Sequence, residues 1–320
     1  MKVLLTFDVE VWCNSWATLE QDFPSSFDRY VYGRTTKGDF ALPKTLEVLD
    51  RNGLKGVFFV EPLFAARFGI EPLATIVELI REAGQEVQLH LHPEWTDEAR
   101  VPLLPNVTHK RQHLSYYSGE EQAALIAHGI RLLVEAGAPA PVAFRSGSFA
   151  CNDDTFTAVA ANGLRFDSSV NAALGVSTPA SSLDPAAGHC EPFDFNGLGM
   201  YPMTLLRDGF GRLRHAQIGA CGASELMTAL DVACEGTWPA FVLLSHNFEL
   251  MIPDKLAPDP IVVKRFERLC RHLDDNRASM PTTGFAQLPP LSAPRGLPLP
   301  AVGRLPTALR YFEQALRRLH

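Results

Sequence analysis

The sequence predicts an α/β fold of mostly parallel strands, on three observations. Short buried apolar runs alternate with amphipathic helical stretches from end to end. Chemistry-bearing residues sit at or just past the ends of those runs, where parallel-sheet folds carry their sites. Neither an internal repeat nor a break in composition divides the span.

The elements follow in order. Lys2 to Trp12 reads as a buried strand that presents Asp8 and Glu10 on one face and Val9 and Val11 on the other, since alternate side chains of a strand share a face. Two carboxylates at the end of an apolar strand are costly unless they share a cation or a proton, or unless the strand runs out into solvent. Residues 13–40 mix aromatic and polar side chains (Trp16, Phe23, Phe27, Tyr30, Tyr32) and are expected to form an ordered irregular loop over a site. Ala41–Asn52 reads as a helix with Leu42, Leu46 and Leu49 on one face, Gly56–Val60 as a fully buried strand, and Ala74–Ala83 as a second helix closed by Gly84. Glu86–His92 is a third strand, stopped by Pro93, with His90 and His92 on one face.

A polar insertion over 95–118 contains His109 and His113, which read as surface or loop residues. A long helix over Gly119–Ala136 precedes the short strand Val142–Phe144, which delivers Arg145-Ser146-Gly147-Ser148. A helix over Asp153–Asn162 leads to a strand end at Arg165–Asp167. Residues 171–218 are loop-rich, with short strands around Phe193 and Met200. Ser224–Cys234 is helical, Phe241–His246 is the last buried strand, and Pro260–Asn276 is again helical.

The domain organisation expected is one domain over 1–288, a proline-dense extended connector over 289–306, and a basic amphipathic helix over 307–320. That helix carries Leu309, Phe312, Leu316 and Leu319 on one face. It is expected to dock back on the domain, with a partner or a membrane surface as the alternative.

Of the 320 residues 46% are hydrophobic and 20% charged, enough apolar material for a sizeable core. A net charge of −7 and a pI near 5.8 argue against generic affinity for nucleic acid or anionic membranes. No leader pattern follows Met1-Lys2 and no run reaches the roughly 18 apolar residues of a spanning helix, so the expected location is the cytoplasm. Six cysteines without C-x-x-C spacing (Cys13, Cys151, Cys190, Cys221, Cys234, Cys270) read as free thiols, mostly core residues.

Five strand ends thus offer Asp8 and Glu10; His90, His92 and Glu94; Arg145; Asp167; and His246. A carboxylate with two histidines is the donor set of a catalytic zinc or similar divalent site. Taken in order, these stretches resemble the polysaccharide deacetylase family (NodB homology, carbohydrate esterase family 4), from Thr6 to about residue 250. Thr6-Phe7-Asp8-Val9-Glu10 resembles the first motif in its Asp-x-Asp/Glu form, and Gly84 to His92 the second, which supplies metal ligands. Phe144-Arg145-Ser146-Gly147-Ser148-Phe149 resembles the arginine motif, Arg165-Phe166-Asp167-Ser168-Ser169 the fourth, and Leu244-Ser245-His246 the last. Three departures stand out. Val9 replaces the usual second aspartate, the histidine motif is compressed to His90-x-His92-x-Glu94, and the tryptophan frequent in the fourth motif is missing.

The resemblance implies a distorted (β/α)7-type barrel of mostly parallel strands with long active-site loops. It also implies a metal-dependent hydrolase that removes an N-acetyl group from a sugar, glycan or sugar precursor. A divalent metal, zinc foremost, would lie on Glu10, His90 and His92, with Glu94 as the alternative third ligand. Asp8 would act as general base, His246 as general acid, Arg145 would orient Asp8, and Asp167 would pair with Arg145 or keep His246 protonated. Amidohydrolases of small cyclic amides, and an inactive glycan-binding barrel, are the rival readings on the same fold.

Overall fold

The computed structural model describes residues 1–107, 109–174, 183, 190–253, 255–289, 291 and 294–317. Its strands are β1 (Lys2–Val9), β2 (Arg34–Thr35), β3 (Gly38–Asp39), β4 (Gly56–Val60), β5 (Glu86–Leu91), β6 (Ala143–Ser146), β7 (Phe166–Asp167), β8 (Phe193–Phe195), β9 (Leu198–Met200), β10 (Leu205–Arg207), β11 (Leu213–His215) and β12 (Ala240–His246). Its helices are α1 (Leu19–Phe27), α2 (Leu42–Arg51), α3 (Ala65–Phe68), α4 (Ile70–Glu82), α5 (Gly119–Glu135), α6 (Asp153–Ala161), α7 (Ala223–Glu235), α8 (Pro260–Asp275) and α9 (Arg304–Arg317). The expected class, α/β with mostly parallel strands, is the one observed. No helix among the described residues is long and apolar enough to cross a membrane.

The chain forms two compact units, one of Met1–Gly56, Thr204–Thr283 and Leu297–His320, the other of Val57–Met203 and Gly284–Gly296. In the first unit β1 pairs in parallel with β12, from Lys2 opposite Ala240 to Asp8 opposite His246. Both strands are runs of buried aliphatic and aromatic residues, as strands covered on both faces must be. Phe7 of β1 meets Phe266 of α8 edge-on at 5.9 Å. The N-terminus of α8 is capped by Asp259, whose Oδ1 accepts from the amides of Ile261 and Val262.

In the second unit β4, β5, β6, β7 and β9 form a parallel series, with β8 antiparallel on β9. Leu89 lies opposite Phe144, His90 opposite Arg145, and Phe144 opposite Asp167. Phe285 fills the interior, its ring 5.5–5.6 Å from those of Phe59, Phe166 and Tyr201. A capping box of Ser118 and Glu121 starts α5, as the run of apolar residues after Gly119 requires.

Three of the differences from the sequence expectation fall at prolines. Residues 13–40 are not irregular throughout, because α1 occupies Leu19–Phe27 with Pro24 inside it. Its buried Leu19, Phe23 and Ser26 are spaced as a helix face, but an internal proline argues against a helix in the bare sequence. Helix α4 starts at Ile70 rather than Ala74, and α9 at Arg304 rather than 307. Pro72 and Pro306 fall in the first turns, where the missing amide proton costs nothing. Of the 171–218 stretch, residues 175–182 and 184–189 lie outside the described residues. So do 290, 292 and 293 in the connector, and 318–320, with Leu319, in the last helix.

Candidate active site

The first unit gathers its titratable groups where β1 and β12 end side by side. The register that sets Asp8 opposite His246 brings one ligand-type atom each of Asp8, Glu10 and His246 within 4.8 Å of one another. Both carboxylates are buried, and between Val3 and Val11 the only other polar residue is Thr6. Glu10 Oε2 accepts from Trp12 Nε1 at 2.6 Å. Asn247 fixes the strand end, accepting from the Glu10 amide at 3.1 Å and donating to the Glu10 and Tyr30 carbonyls at 3.1 and 2.6 Å.

His246 Nδ1 lies 2.9 Å from Glu249 Oε1. A carboxylate accepts, so Nδ1 carries a proton in that contact. Glu249 is itself held by Gln217 Nε2, by the Gly219 amide at 2.7 Å and by Ser245 Oγ at 3.1 Å. Burial works against an imidazolium here. The Glu249 hydrogen bond and the charges of Glu249, Glu10 and Asp8 outweigh it and raise His246 to about 9. The ring also stacks on Phe248 at 5.2 Å.

The second unit gathers its own set at the ends of β4 to β7. His90 Nδ1 is 2.8 Å from the Arg145 carbonyl, its register neighbour, and His92 Nδ1 is 3.3 Å from Glu94 Oε2. In both rings Nδ1 faces an acceptor oxygen and so carries a proton; in the neutral ring Nε2 is then the nitrogen with a lone pair for a metal. The two rings are buried, 4.9 Å apart, and oriented so that Nε2 of each is the nitrogen available to a divalent ion. Gly147 makes the seat of His92: a Cβ there would lie 2.8 Å from ring atoms of His92 and 2.7 Å from the Leu91 carbonyl. The chain then turns through Ser148 and Phe149, both with left-handed φ near +55°, at 54° and 56°.

Arg145 is fully buried, with Nη2 donating to Ser168 Oγ at 3.0 Å and its guanidinium 4.3 Å above the Phe59 ring. Asp167 accepts from the Ser169 amide and from Ser169 Oγ, each at 2.8 Å. Burial pushes its carboxyl up to about 7, although the Ser169 bonds and the Arg145 charge pull the other way. Glu61, directly after β4, goes up to about 8 by burial, against the amides of Leu63 and Phe64, which donate to it, and the charge of His92.

Two of these residues escape a reading of the sequence. Glu61 ends a buried strand as the recognised groups do, but Pro62 after it gives it the look of loop onset. Glu249 lies beyond the strand, its only signal the i,i+3 spacing from His246 across a turn. His109 is exposed, and His113 meets Tyr116 edge-on at 4.9 Å in the same segment. The six cysteines are free thiols, with Cys13 and Cys151 pushed up by burial and so poor nucleophiles.

No family model matches the chain, and no curated protein matches it. Solved structures do. A Mycobacterium smegmatis protein assigned as a polysaccharide deacetylase is 19% identical, with 92% of this chain and 93% of that one covered and a TM-score of 0.56. A family 4 carbohydrate esterase from Streptomyces lividans, in complex with acetate, is 14% identical over 92% and 97%, with a TM-score of 0.46. A pseudoenzyme of the same esterase family from Bacillus anthracis is 14% identical over 88% and 63%, with a TM-score of 0.43. The first match establishes the fold: this chain shares that of the polysaccharide deacetylases.

Proposed function

We propose that the chain is a metal-dependent deacetylase that hydrolyses an N-acetyl group on a sugar or glycan, in the biosynthesis or modification of surface polysaccharide. The observation that carries this reading is the state of two imidazoles. His90 and His92 each commit Nδ1 to an oxygen, so each presents Nε2 as a ligand atom at the end of one strand. The shared fold supports it by analogy only.

In this reading Glu10, His90 and His92 hold a divalent ion, and two imidazoles with one carboxylate favour zinc. Glu94 supports His92 through Nδ1 instead of replacing it. When bound, the ion supplies Lewis acidity to the amide carbonyl and makes water a better nucleophile near neutral pH. Asp8 takes the proton of the attacking water as general base. His246, kept cationic by Glu249, returns a proton to the departing amine nitrogen. Arg145 orients Asp8, and Asp167 anchors the Ser168-Ser169 turn on which Arg145 rests.

Acetate release from N-acetylhexosamine oligosaccharides and nucleotide sugars is the assay. Metal analysis should find a stoichiometric divalent ion, and a chelator should stop turnover. Asp8→Asn and His246→Ala should each lose about 10²–10⁴-fold. Turnover that ignores the chelator, or that survives both substitutions, overturns the proposal. A chain with neither metal nor turnover is a binding module instead.

A further inference from the structure

An amphipathic surface helix ordinarily hides its apolar stripe. Helix α9 does the opposite. Its inward face is polar: Arg310 is buried between Asp208, 3.0 Å from Nη2, and Glu225, 2.8 Å from Nε. Thr307 Oγ1 donates to Glu225 at 2.8 Å and accepts from the Gly209 amide at 2.8 Å. Glu313 accepts from Arg265 at 2.7 Å, and Arg317 donates to Asp259 at 2.7 Å. Residues 307, 310, 313 and 317 thus form one helical face, locked by ion pairs into the first unit.

The opposite face carries Leu305, Ala308, Leu309, Phe312 and Ala315, all exposed, with Leu305 at 72% and Phe312 at 63%. The β10–β11 turn extends this apolar surface. Its tip residue Phe210 is 59% exposed, with its ring 6.0 Å from that of Tyr311, and Leu213, at the start of β11, is also exposed. Arg212 Nη1 reaches the Tyr311 hydroxyl at 3.3 Å, and the turn abuts the helix start, where Gly209 faces the Arg304 backbone.

Charge says what covers this face. The chain as a whole carries −7, yet between Thr204 and Gly222 the only carboxylate is Asp208, and between Leu297 and Phe312 there is none. Asp208 is consumed by the buried Arg310. Arg207, Arg212 and Arg304 are exposed, and none of the three is in an ion pair among the described residues. A second copy placed face to face would bring one arginine-bearing surface against another, with Asp208 already paired to Arg310 on each. The apolar groups lie exposed on a helix stripe and a hairpin tip. Arginines rimming aromatic and aliphatic side chains suit the headgroup boundary of an anionic bilayer.

We propose that the outward face of α9, together with the β10–β11 turn, lies on a membrane surface rich in anionic lipid. The inference is independent of the reaction assigned above. Its test is co-sedimentation of the full chain with phosphatidylcholine vesicles, with and without phosphatidylglycerol. Binding should need phosphatidylglycerol and weaken as salt rises. Leu309→Ser with Phe312→Ser, and separately Arg207→Glu with Arg212→Glu, should each reduce partitioning about tenfold or more. Because all four side chains are exposed, the thermal melt should stay at the parent value. The proposal is overturned if the parent stays in the supernatant with anionic vesicles at low salt, or if both double variants bind as the parent does. Lipid-free dimerisation abolished by the Leu309 and Phe312 changes would reassign the face to self-association. Competition by polyglutamate without any vesicle binding would reassign it to an acidic protein.

Discussion

His246 and Asp167 both end buried parallel strands, yet their protons are held for opposite reasons. Around His246 the neighbours are carboxylates, Glu249, Glu10 and Asp8, and their combined charge overcomes the burial that would neutralise the ring. Around Asp167 the neighbours also favour the charged form, two donors on Ser169 and the Arg145 guanidinium, but burial prevails. The difference lies in number and sharing. One imidazole faces three anions, whereas one carboxylate faces a single cation that also serves Ser168 and the Phe59 ring. A strand end therefore does not dictate protonation; the balance of neighbouring charge against lost water does.

The comparison can be broken most forcefully at His246. His246→Gln keeps a polar side chain but removes the proposed proton donor, and acetate release should fall by about 10²–10⁴-fold. Asp167→Asn should cost far less in turnover, since that carboxyl acts only through Ser169 and Arg145. Equal losses in the two variants would erase the distinction.

Glu249→Gln is the next largest. By nuclear magnetic resonance on chelator-treated protein, His246 should titrate well below its parent value of about 9 and nearer the ordinary 6.5. Turnover at neutral pH should drop about 10–100-fold. The sign for stability follows: a raised histidine stabilises the fold fully below about 6.5 and loses that contribution as pH climbs through 9. In Glu249→Gln that alkaline loss should shrink.

The slope due to Asp167 lies at lower pH. Its folded value near 7 exceeds the ordinary 3.8, so the native state keeps a proton that the unfolded chain has lost. The Asp167 contribution to stability should fall as pH rises from about 4 to about 7, in the same direction as that of Glu61, which goes on to about 8. Asp167→Asn should remove that share of the slope, on the order of 4 kcal/mol across the window, and leave the share of Glu61, in denaturant titrations at each pH. The smallest effect belongs to Ser169→Ala. It removes one of the two donors on Asp167, costs about 1 kcal/mol, and should raise the Asp167 carboxyl further.

How much of this was legible in the chain depends on how local each cause is. Alternation along a strand is local, so the shared faces of Asp8 and Glu10 and of His90 and His92 can be read directly. The pairing of Asp8 with His246 needs the register of strands 238 residues apart, which only the order of strand ends hints at. Glu249 is hidden because a turn, not a periodic element, brings it back to the ring. Proline hides α1 and the first turn of α9, since the same residue that stops one helix is harmless at the start of another. Periodicity also identifies the two faces of α9 without telling which is inward. Buried carboxylates at Asp208 and Glu225 decide that, and they belong to other elements.

Gly147 has a consequence for anyone who would transplant or redesign these histidines. The imidazole of His92 occupies room that exists because its neighbour across the strand end stops at Cα. Copying the donors into another scaffold without that vacancy would carry over the letters and lose the aim. A methyl group is enough to turn the ring away, so the most intolerant position beside the pair is the one with no reactive atom at all.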